Sequence, residues 1–308
     1  MTGRRGDAAT GNLRRTEWYA RSSGCKVRRN VVFIAFLLFA WLVPGGYSHA
    51  AEPSVIISPK KIVPGGIMVV TVKGAKGPVE GSFRGKSVHF NPARSGARAV
   101  VGVDLNTDPG TYPFVLTMDG KDHTRDVTVA KKKYPVERLR LPDDMVTLSP
   151  ENEARVERES KKMASLWPVD SPLVWTGSFR DPLPDKEIGT RFGTRRIINN
   201  IPKNSHSGID IKADEGEGVR APNDGVVVLV DDQFFSGKSL VLDHGQGIYT
   251  MFFHLSRIKV KPGQAVMKGD VIALVGSTGR STGAHLHWGV RIQGAKVDPL
   301  ALIKLRLD

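Results

Sequence analysis

Two histidines lie one residue apart in the stretch 282–290, which reads TGAHLHWGV. Successive side chains of a β-strand point to opposite faces, so His285 and His287 would share one face while Leu286 and Trp288 share the other. Neutral imidazole is a common metal ligand in proteins. Two imidazoles on one face therefore indicate either a coincidence of packing or part of a metal site. We expect Trp288, on the opposite face, to be a core residue.

A second stretch, NSHSGIDIKA at 204–213, supplies a histidine and a carboxylate. In an extended segment, His206 and Asp210 project to the same side, and the two isoleucines project into the core. The same spacing also fits one face of a helix, but Gly208 and the alternation of polar and apolar residues disfavour that structure. With a histidine from another strand as the third ligand, this pair would hold zinc and leave its fourth position open, as in catalytic zinc sites.

Histidines are concentrated in this part of the chain, because five of the eight lie between positions 206 and 287. They are His206, His244, His254, His285 and His287. The only cysteine, Cys25, lies near the N-terminus. A metal site in the C-terminal half must therefore use imidazole and carboxylate ligands rather than thiolates. We expect a structural role for His244, which lies in the turn LDHGQG.

Four motifs occur in order between about 177 and 303: HSGIDI, APNDGVV, FFHLS and VKPGQAVMKGDVIALVGSTGRSTGAHLHWGV. Together they resemble the lysostaphin/LytM-type family of zinc endopeptidases and its duplicated hybrid motif fold. The resemblance implies Zn²⁺ as the cofactor, with His206, Asp210 and His287 as its ligands. It also implies that His254 and His285 form the catalytic pair, one helping to deprotonate the zinc-bound water and the other stabilising the oxyanion.

The resemblance implies a zinc metalloendopeptidase that hydrolyses the peptide cross-links of bacterial peptidoglycan. The alternative is a non-catalytic wall-binding protein or an activator of a cell-wall amidase, because some family members have lost ligands. All five site positions are intact here, which favours the enzyme. The segment TRFGTRR at 190–196 also resembles a family motif. Its arginines could meet substrate carboxylates, but we expect a solvated loop.

Short strands separated by glycine turns must position these residues. The clearest apolar runs are 225–230, 239–244, 248–255, 270–276 and 285–292. Since no helical pattern interrupts them, they predict an antiparallel β-sheet metallopeptidase domain over 173–308.

A charged helix is predicted within the preceding linker, 134–172. The stretch 148–167 has Ser149 as an N-cap and Pro150 at the first helical position. Its apolar positions are sparse, so we expect a largely solvated helix that packs one edge on a neighbour.

The segment 51–133 predicts a β-sandwich, immunoglobulin-like in type. Its apolar runs are 54–58, 67–73, 97–103, 111–118 and 126–130. The turn sequences VPGG, DPG and MDGK separate them. The chain is therefore expected to be mainly β. We see no catalytic pattern in the sandwich and expect that it binds a partner protein.

Residues 1–50 have the layout of a signal peptide with an N-terminal lead-in. Lys26, Arg28 and Arg29 precede thirteen apolar residues, Val31 to Val43, and Ser48-His-Ala follows. A membrane span needs about 20 apolar residues. We therefore expect export to the periplasm or to the extracellular cell wall, with no stable membrane span after cleavage. The alternative is an inner-membrane anchor formed by an uncleaved N-terminal segment.

The chain is strongly basic, with a formal net charge of +14. Residues 51–308 keep 37 of the 45 Lys/Arg and 29 of the 31 Asp/Glu, a formal charge of +8. Such a surplus favours polyanionic surroundings. The basic residues are scattered and carry no nucleic-acid-binding signature, so we expect no nucleic-acid partner. An anionic cell wall agrees with the predicted export.

Overall fold

The described part of the chain comprises residues 53–94, 96–140, 148–202 and 204–307 of a computed structural model. The predicted signal peptide lies outside the described residues. Neither helix in the described part is long and apolar enough to cross a bilayer.

Two sheets form the N-terminal part of the described chain. Their strands are β1 (Ser54–Ser58), β2 (Lys61–Ile62), β3 (Ile67–Lys73), β4 (Val79–Phe83), β5 (Lys86–His89), β6 (Asn91–Ala93), β7 (Gly96–Gly102), β8 (Gly110–Met118) and β9 (Lys121–Val129). One sheet has the order β1-β3-β7-β6 and the other β2-β9-β8-β4-β5. The five predicted strands are all present, although the last begins five residues earlier than expected.

The two sheets enclose one apolar core, which confirms the predicted sandwich. Val70 and Val72 of β3 are fully buried, as are Phe114 and Leu116 of β8. Alternate residues of each strand face inward because the side-chain period of a strand is two. The immunoglobulin-like type of the sandwich stays a prediction.

The linker contains the predicted helix, α1 (Pro150–Ala164). Ser149 is its N-cap, and the Ser149 hydroxyl accepts a hydrogen bond from the backbone N–H of Asn152 at 3.3 Å. No residue of α1 is fully buried, and Met163 packs on an apolar cluster of the C-terminal sheet. The linker also forms a strand that the sequence did not predict, β10 (Val136–Leu139).

The C-terminal part is built from short strands and one short helix. They are β11 (Arg195–Ile198), β12 (Ile201–Pro202), β13 (Gly208–Lys212), β14 (Gly218–Arg220), β15 (Gly225–Gln233), β16 (Gly237–Asp243), β17 (Ile248–Leu255), β18 (Arg257–Ile258), β19 (Ala265–Val266), β20 (Val271–Leu274), β21 (His285–Ile292), β22 (Ala295–Val297) and α2 (Pro299–Ile303). A seven-stranded sheet has the order β13-β21-β17-β16-β15-β19, with β22 paired to β21. All its pairs are antiparallel, as predicted.

Two three-stranded sheets flank the large one. Strands β14, β20 and β18 form the first, and β10, β11 and β12 form the second. In the second, β10 of the linker pairs in parallel with β11. The linker is therefore part of the structure around the C-terminal sheet.

The apolar core of the C-terminal sheet continues into the sandwich. Trp288 is fully buried, as expected, and belongs to the same cluster as Val100 and Leu105 of the sandwich. The backbone N–H of Leu105 also donates to the carbonyl of Lys296 at 3.1 Å. The apolar contacts within this shared cluster hold the sandwich against the strand pair β21–β22. The positions of the domain boundaries stay predictions.

Candidate metal centre

Strand register brings the HxxxD and HxH motifs together. Asp210 of β13 lies directly opposite His287 of β21, and Phe253 of β17 lies on the other side of His287. Ile209 and Ile211 are fully buried. Because neighbouring side chains of a strand alternate, burying these isoleucines directs Asp210 to the opposite face.

Three potential ligand atoms converge at this point. His206 Nε2, His287 Nδ1 and Asp210 Oδ1 form a triangle in which each pair of atoms is 2.9 Å apart. Both imidazoles are buried, and the Asp210 side chain is only 13% exposed. Among the described residues, this is the group of histidines and carboxylates that could hold a metal ion.

The hydrogen bonds around His206 fit a cation at the centre of the triangle. His206 Nδ1 lies 3.2 Å from the backbone carbonyl of Arg191 and must donate, since a carbonyl only accepts. In a neutral imidazole, the Nε2 lone pair then faces Asp210 Oδ1, which is also an acceptor. Two acceptors at 2.9 Å repel each other unless a cation or a proton lies between them. Two imidazole nitrogens and one carboxylate oxygen are a zinc donor set.

Close packing holds the ligand rings in place. The Phe253 ring stacks on His287 with centroids 5.3 Å apart and an interplanar angle of 8°. On the other strand, a Cβ at Gly208 would lie 2.4 Å from the Trp288 carbonyl oxygen and 2.7 Å from His287 Nε2. Only glycine therefore allows β13 to approach β21 this closely.

An arginine from the segment TRFGTRR contacts the carboxylate of the triangle. Arg196 Nη2 donates to Asp210 Oδ2 at 3.0 Å, and Arg196 Nε donates to Glu137 of β10 at 3.2 Å. The Arg196 contact leaves Oδ1 as the oxygen that faces the imidazoles. Burial would raise the pKa of Asp210, but the close polar contacts of its carboxylate with His206 and His287 outweigh it and hold this pKa well below its usual range.

His254 and His285 lie beside the triangle, with their rings 4.8 Å apart. His254 Nδ1 donates to the Thr278 carbonyl at 2.8 Å, and His285 Nδ1 donates to the Gly283 carbonyl at 2.8 Å. In both neutral rings, Nε2 is then the basic nitrogen. His285 Nε2 lies 3.9 Å from Asp210 Oδ1. Each ring can therefore exchange a proton through Nε2.

Burial favours the neutral form of two imidazoles of the site, those of His254 and His287. It is the largest influence on His254, and together with the neighbouring His285 it lowers the pKa of His254 to about 4 against the opposing hydrogen bond to Thr278. Burial likewise lowers the pKa of His287 to about 4. A neutral imidazole is the form that binds a metal or accepts a proton.

His254 also has an unusual backbone conformation, with φ at +62°. Few residues other than glycine adopt this left-handed region, and such positions cluster at functional sites. The His254 N–H donates to the Ser236 carbonyl at 2.8 Å, which helps to hold the conformation. This backbone conformation at the end of β17 thus directs the His254 side chain into the cleft.

The site lies in a cleft that consists of two adjoining cavities. One cavity of about 270 Å³ contains Asp210, His285 and Thr282 in its wall, and another of about 680 Å³ contains His206 and Phe235. Five residues line both cavities: Arg196, Ile198, His254, Arg280 and His287. An extended substrate could therefore lie along the cleft, with one part on each side of the three potential metal-ligand atoms.

The structure brings together all five site residues that the sequence singled out. His244 lies apart from them, buried between the Asp224 carbonyl and the Thr250 hydroxyl, in agreement with a structural role. The expectation of a solvated loop was wrong for Arg196, which bonds Asp210 across strands. Sequence reasoning also missed Glu137 and Arg280. For Arg196 alone there was a signal, the likeness of TRFGTRR to a family motif.

The chain is similar to known peptidases in sequence and in fold. Residues 204–299 match peptidase family M23. A crystal structure of a peptidase M23 from Pseudomonas aeruginosa is 33% identical with a TM-score of 0.64, and the match covers 78% of this chain and 94% of that one.

Two curated relatives are similar over the C-terminal part. The DD-carboxypeptidase/endopeptidase Mpg of Neisseria meningitidis is 38% identical over 122 residues, 40% of this chain and 28% of that protein. The peptidoglycan DD-endopeptidase ShyA of Vibrio cholerae is 37% identical over 124 residues, 39% of this chain and 29% of that protein. The chain thus matches under a third of the length of these relatives.

Proposed function

Because this chain belongs to peptidase family M23, we propose that it is a zinc-dependent metalloendopeptidase that hydrolyses peptide cross-links of bacterial peptidoglycan. The observation that carries the proposal is the 2.9 Å triangle of His206, Asp210 and His287 beside a second pair of histidines. Three protein ligands with one side open to a cleft are typical of catalytic rather than structural zinc sites.

The donor set supports Zn²⁺ as the cofactor and these three residues as its ligands. Donor atoms about 2.1 Å from one zinc ion would lie roughly 3.4 Å apart, so the 2.9 Å triangle would open by about half an ångström to hold it. The two imidazoles agree with this metal. When bound, Zn²⁺ polarises the scissile carbonyl and lowers the pKa of a coordinated water.

The remaining residues handle protons and charge. His254 and His285 each present a basic Nε2, because each Nδ1–H is held by a backbone carbonyl. One can accept the proton of the attacking water, and the other, once protonated, can donate to the developing oxyanion or to the leaving amine. Arg196 orients Asp210 through its second oxygen, which preserves the geometry of the ligand triangle.

The names of the relatives and the charge of the chain support the proposed substrate and location. The relatives Mpg and ShyA are by name a DD-carboxypeptidase/endopeptidase and a peptidoglycan DD-endopeptidase. The formal charge of +8 over residues 51–308 favours an anionic wall polymer. We propose that the protein is exported and acts in the periplasm or at the cell wall, with a partner protein bound through the sandwich.

Digestion of purified peptidoglycan by the zinc-loaded full chain tests the function, with the products identified by mass spectrometry. We expect new fragments from cleaved cross-links, and none from the His206→Ala variant, because that variant lacks one ligand. A folded, zinc-loaded protein that leaves every cross-link intact would favour the activator of a cell-wall amidase.

A further inference from the structure

The linker helix α1 covers part of the outer edge of β15. On this edge, β15 pairs with β19 at its first two residues only. At the far end, Arg155 Nη2 of α1 donates to the backbone carbonyl of Asp232 at 2.9 Å. Glu159 Oε2 of α1 accepts a hydrogen bond from the backbone N–H of Phe234, also at 2.9 Å. Side chains of a helix therefore satisfy backbone groups that a neighbouring strand would otherwise bond.

Glu159 and Arg155 bind this edge as one unit. They lie one turn apart on α1 and form an ion pair in which Arg155 Nε is 2.7 Å from Glu159 Oε1. The guanidinium carbon of Arg155 also lies 5.8 Å from the centre of the Phe234 ring. The Glu159 side chain is only 17% exposed, so its hydrogen bonds are largely shielded from water. Hydrogen bonds to an ionised carboxylate are stronger than neutral ones, and the pair thus holds the chain at 232–234.

The turn between β15 and β16, residues 234–236, in turn holds His254. The carbonyl of Ser236 accepts the backbone N–H of His254 at 2.8 Å, at the residue whose φ is +62°. Directly after the turn, the backbone N–H of Lys238 donates to the hydroxyl of Thr278 at 2.9 Å. The carbonyl of the same Thr278 accepts from His254 Nδ1 at 2.8 Å. The β15–β16 turn is therefore connected to both the backbone and the ring of His254.

We propose that Glu159 is a positioning residue that acts on His254 through the β15–β16 turn. The proposal rests on the peptidase function proposed above. Without the Glu159 carboxylate, the N–H of Phe234 loses its acceptor and α1 no longer fixes the turn. A general acid or base must lie within hydrogen-bond reach of the proton that it transfers. A displaced His254 therefore slows the chemical step, which lowers kcat and leaves KM unchanged.

A purely stabilising role is the alternative for the same contacts, because covering a strand edge also stabilises a fold. In that case, loss of Glu159 would lower the midpoint of thermal unfolding and leave the kcat of the folded protein unchanged. The ratio of kcat to zinc-loaded, folded protein separates the two roles.

Glu159→Ala tests the proposal, and Glu157→Ala is its matched control. Glu157 lies on the same helix and pairs with Lys161 at 2.6 Å. Both substitutions therefore remove one acid and one ion pair between residues four apart, whereas the bond to Phe234 is lost in the first variant alone. The substrate is a soluble cross-linked peptide dimer from peptidoglycan, cleaved by the zinc-loaded full chain. We expect Glu159→Ala to lower kcat by roughly 10-fold or more at unchanged KM and zinc content, and Glu157→Ala to keep the wild-type kcat.

The conservative variant Glu159→Gln should restore most of the lost kcat. The side-chain carbonyl of glutamine still accepts a hydrogen bond from the N–H of Phe234, although the ion pair with Arg155 is lost. A loss as large as that of the alanine variant would refute the hydrogen bond to Phe234 as the cause.

Amide hydrogen exchange of the segment 252–256, measured by mass spectrometry, tests the coupling without a substrate. Exchange should be faster in Glu159→Ala than in the wild type and unchanged in Glu157→Ala, because the bond from the His254 N–H to Ser236 opens more often. Equal exchange rates or equal kcat values in the two alanine variants would overturn the positioning role. A wild type that cleaves no cross-link would instead refute the peptidase function, while the exchange rates still decide whether Glu159 acts on His254.

Discussion

His244 should make the protein sensitive to acid far from its metal site. The ring is completely buried, with Nδ1 at 2.6 Å from the Asp224 carbonyl, Nε2 at 2.8 Å from the Thr250 hydroxyl and its edge against Phe179. Burial lowers the pKa of His244 from 6.5 to about 4, against the opposing hydrogen bond to Asp224. The neutral ring satisfies both contacts by donating from Nδ1 and accepting at Nε2.

The sign of the effect follows from proton binding. Between pH 6.5 and about 4, the unfolded chain binds a proton at this histidine and the folded chain does not. The stabilisation is therefore fully present above pH 6.5 and is lost as the pH falls towards 4. A difference of about 2.5 pKa units corresponds to about 3 kcal/mol in the free energy of unfolding, of which about 2 kcal/mol is lost by pH 5.

Urea unfolding of the wild type and of His244→Asn, followed between pH 7.5 and 4.5, measures this contribution. The variant loses ring packing and is less stable at every pH, so the informative quantity is the slope with pH. Other titrating groups, including His254 and His287, are present in both proteins and cancel in the difference. We expect the variant to lose about 2 kcal/mol less than the wild type on going from pH 7 to pH 5. Parallel pH profiles would refute the buried neutral histidine.

Two further variants test the site itself. His254→Ala should lower kcat by about 10²- to 10⁴-fold, the usual contribution of a general acid or base, while the zinc content measured by atomic absorption stays at the wild-type value; zinc lost in parallel would show that His254 supports the metal instead. Gly208→Ala forces a methyl group to 2.4 Å from the Trp288 carbonyl oxygen. It should lower the free energy of unfolding by about 1–3 kcal/mol and weaken the binding of zinc. Gly77→Ala, whose nearest neighbour would be 3.9 Å away, is its matched control, and equal effects of the two substitutions would contradict the argument.

Local pattern was enough to predict the strands that carry the histidines. The runs 248–255 and 285–292 are strands with the predicted bounds, because an apolar face and glycine turns delimit them. The period of two likewise put His206 on the side of Asp210, and His285 on the side of His287. The spacing left open whether these pairs were packing residues or ligands, and only the resemblance of the motifs assigned their roles.

Long-range register decided the rest. Asp210 faces His287 because β13 pairs with β21 in one register, and a shift by one residue would turn every side chain to the other face. The parallel pairing of β10 with β11 places Glu137 beside Arg196, although the two residues are 59 positions apart in the sequence.

The sequence by itself therefore determined the mainly β character and the longer strands, because these depend on composition and local periodicity, whereas the five site residues were singled out by the resemblance of their motifs to a known family. The tertiary structure alone decided the 2.9 Å triangle, the bond from Arg196 to Asp210 and the stacking of Arg280 on Phe235. These contacts join segments that are distant in the chain, and their geometry is fixed by the strand pairing and packing of the whole fold rather than by any local pattern.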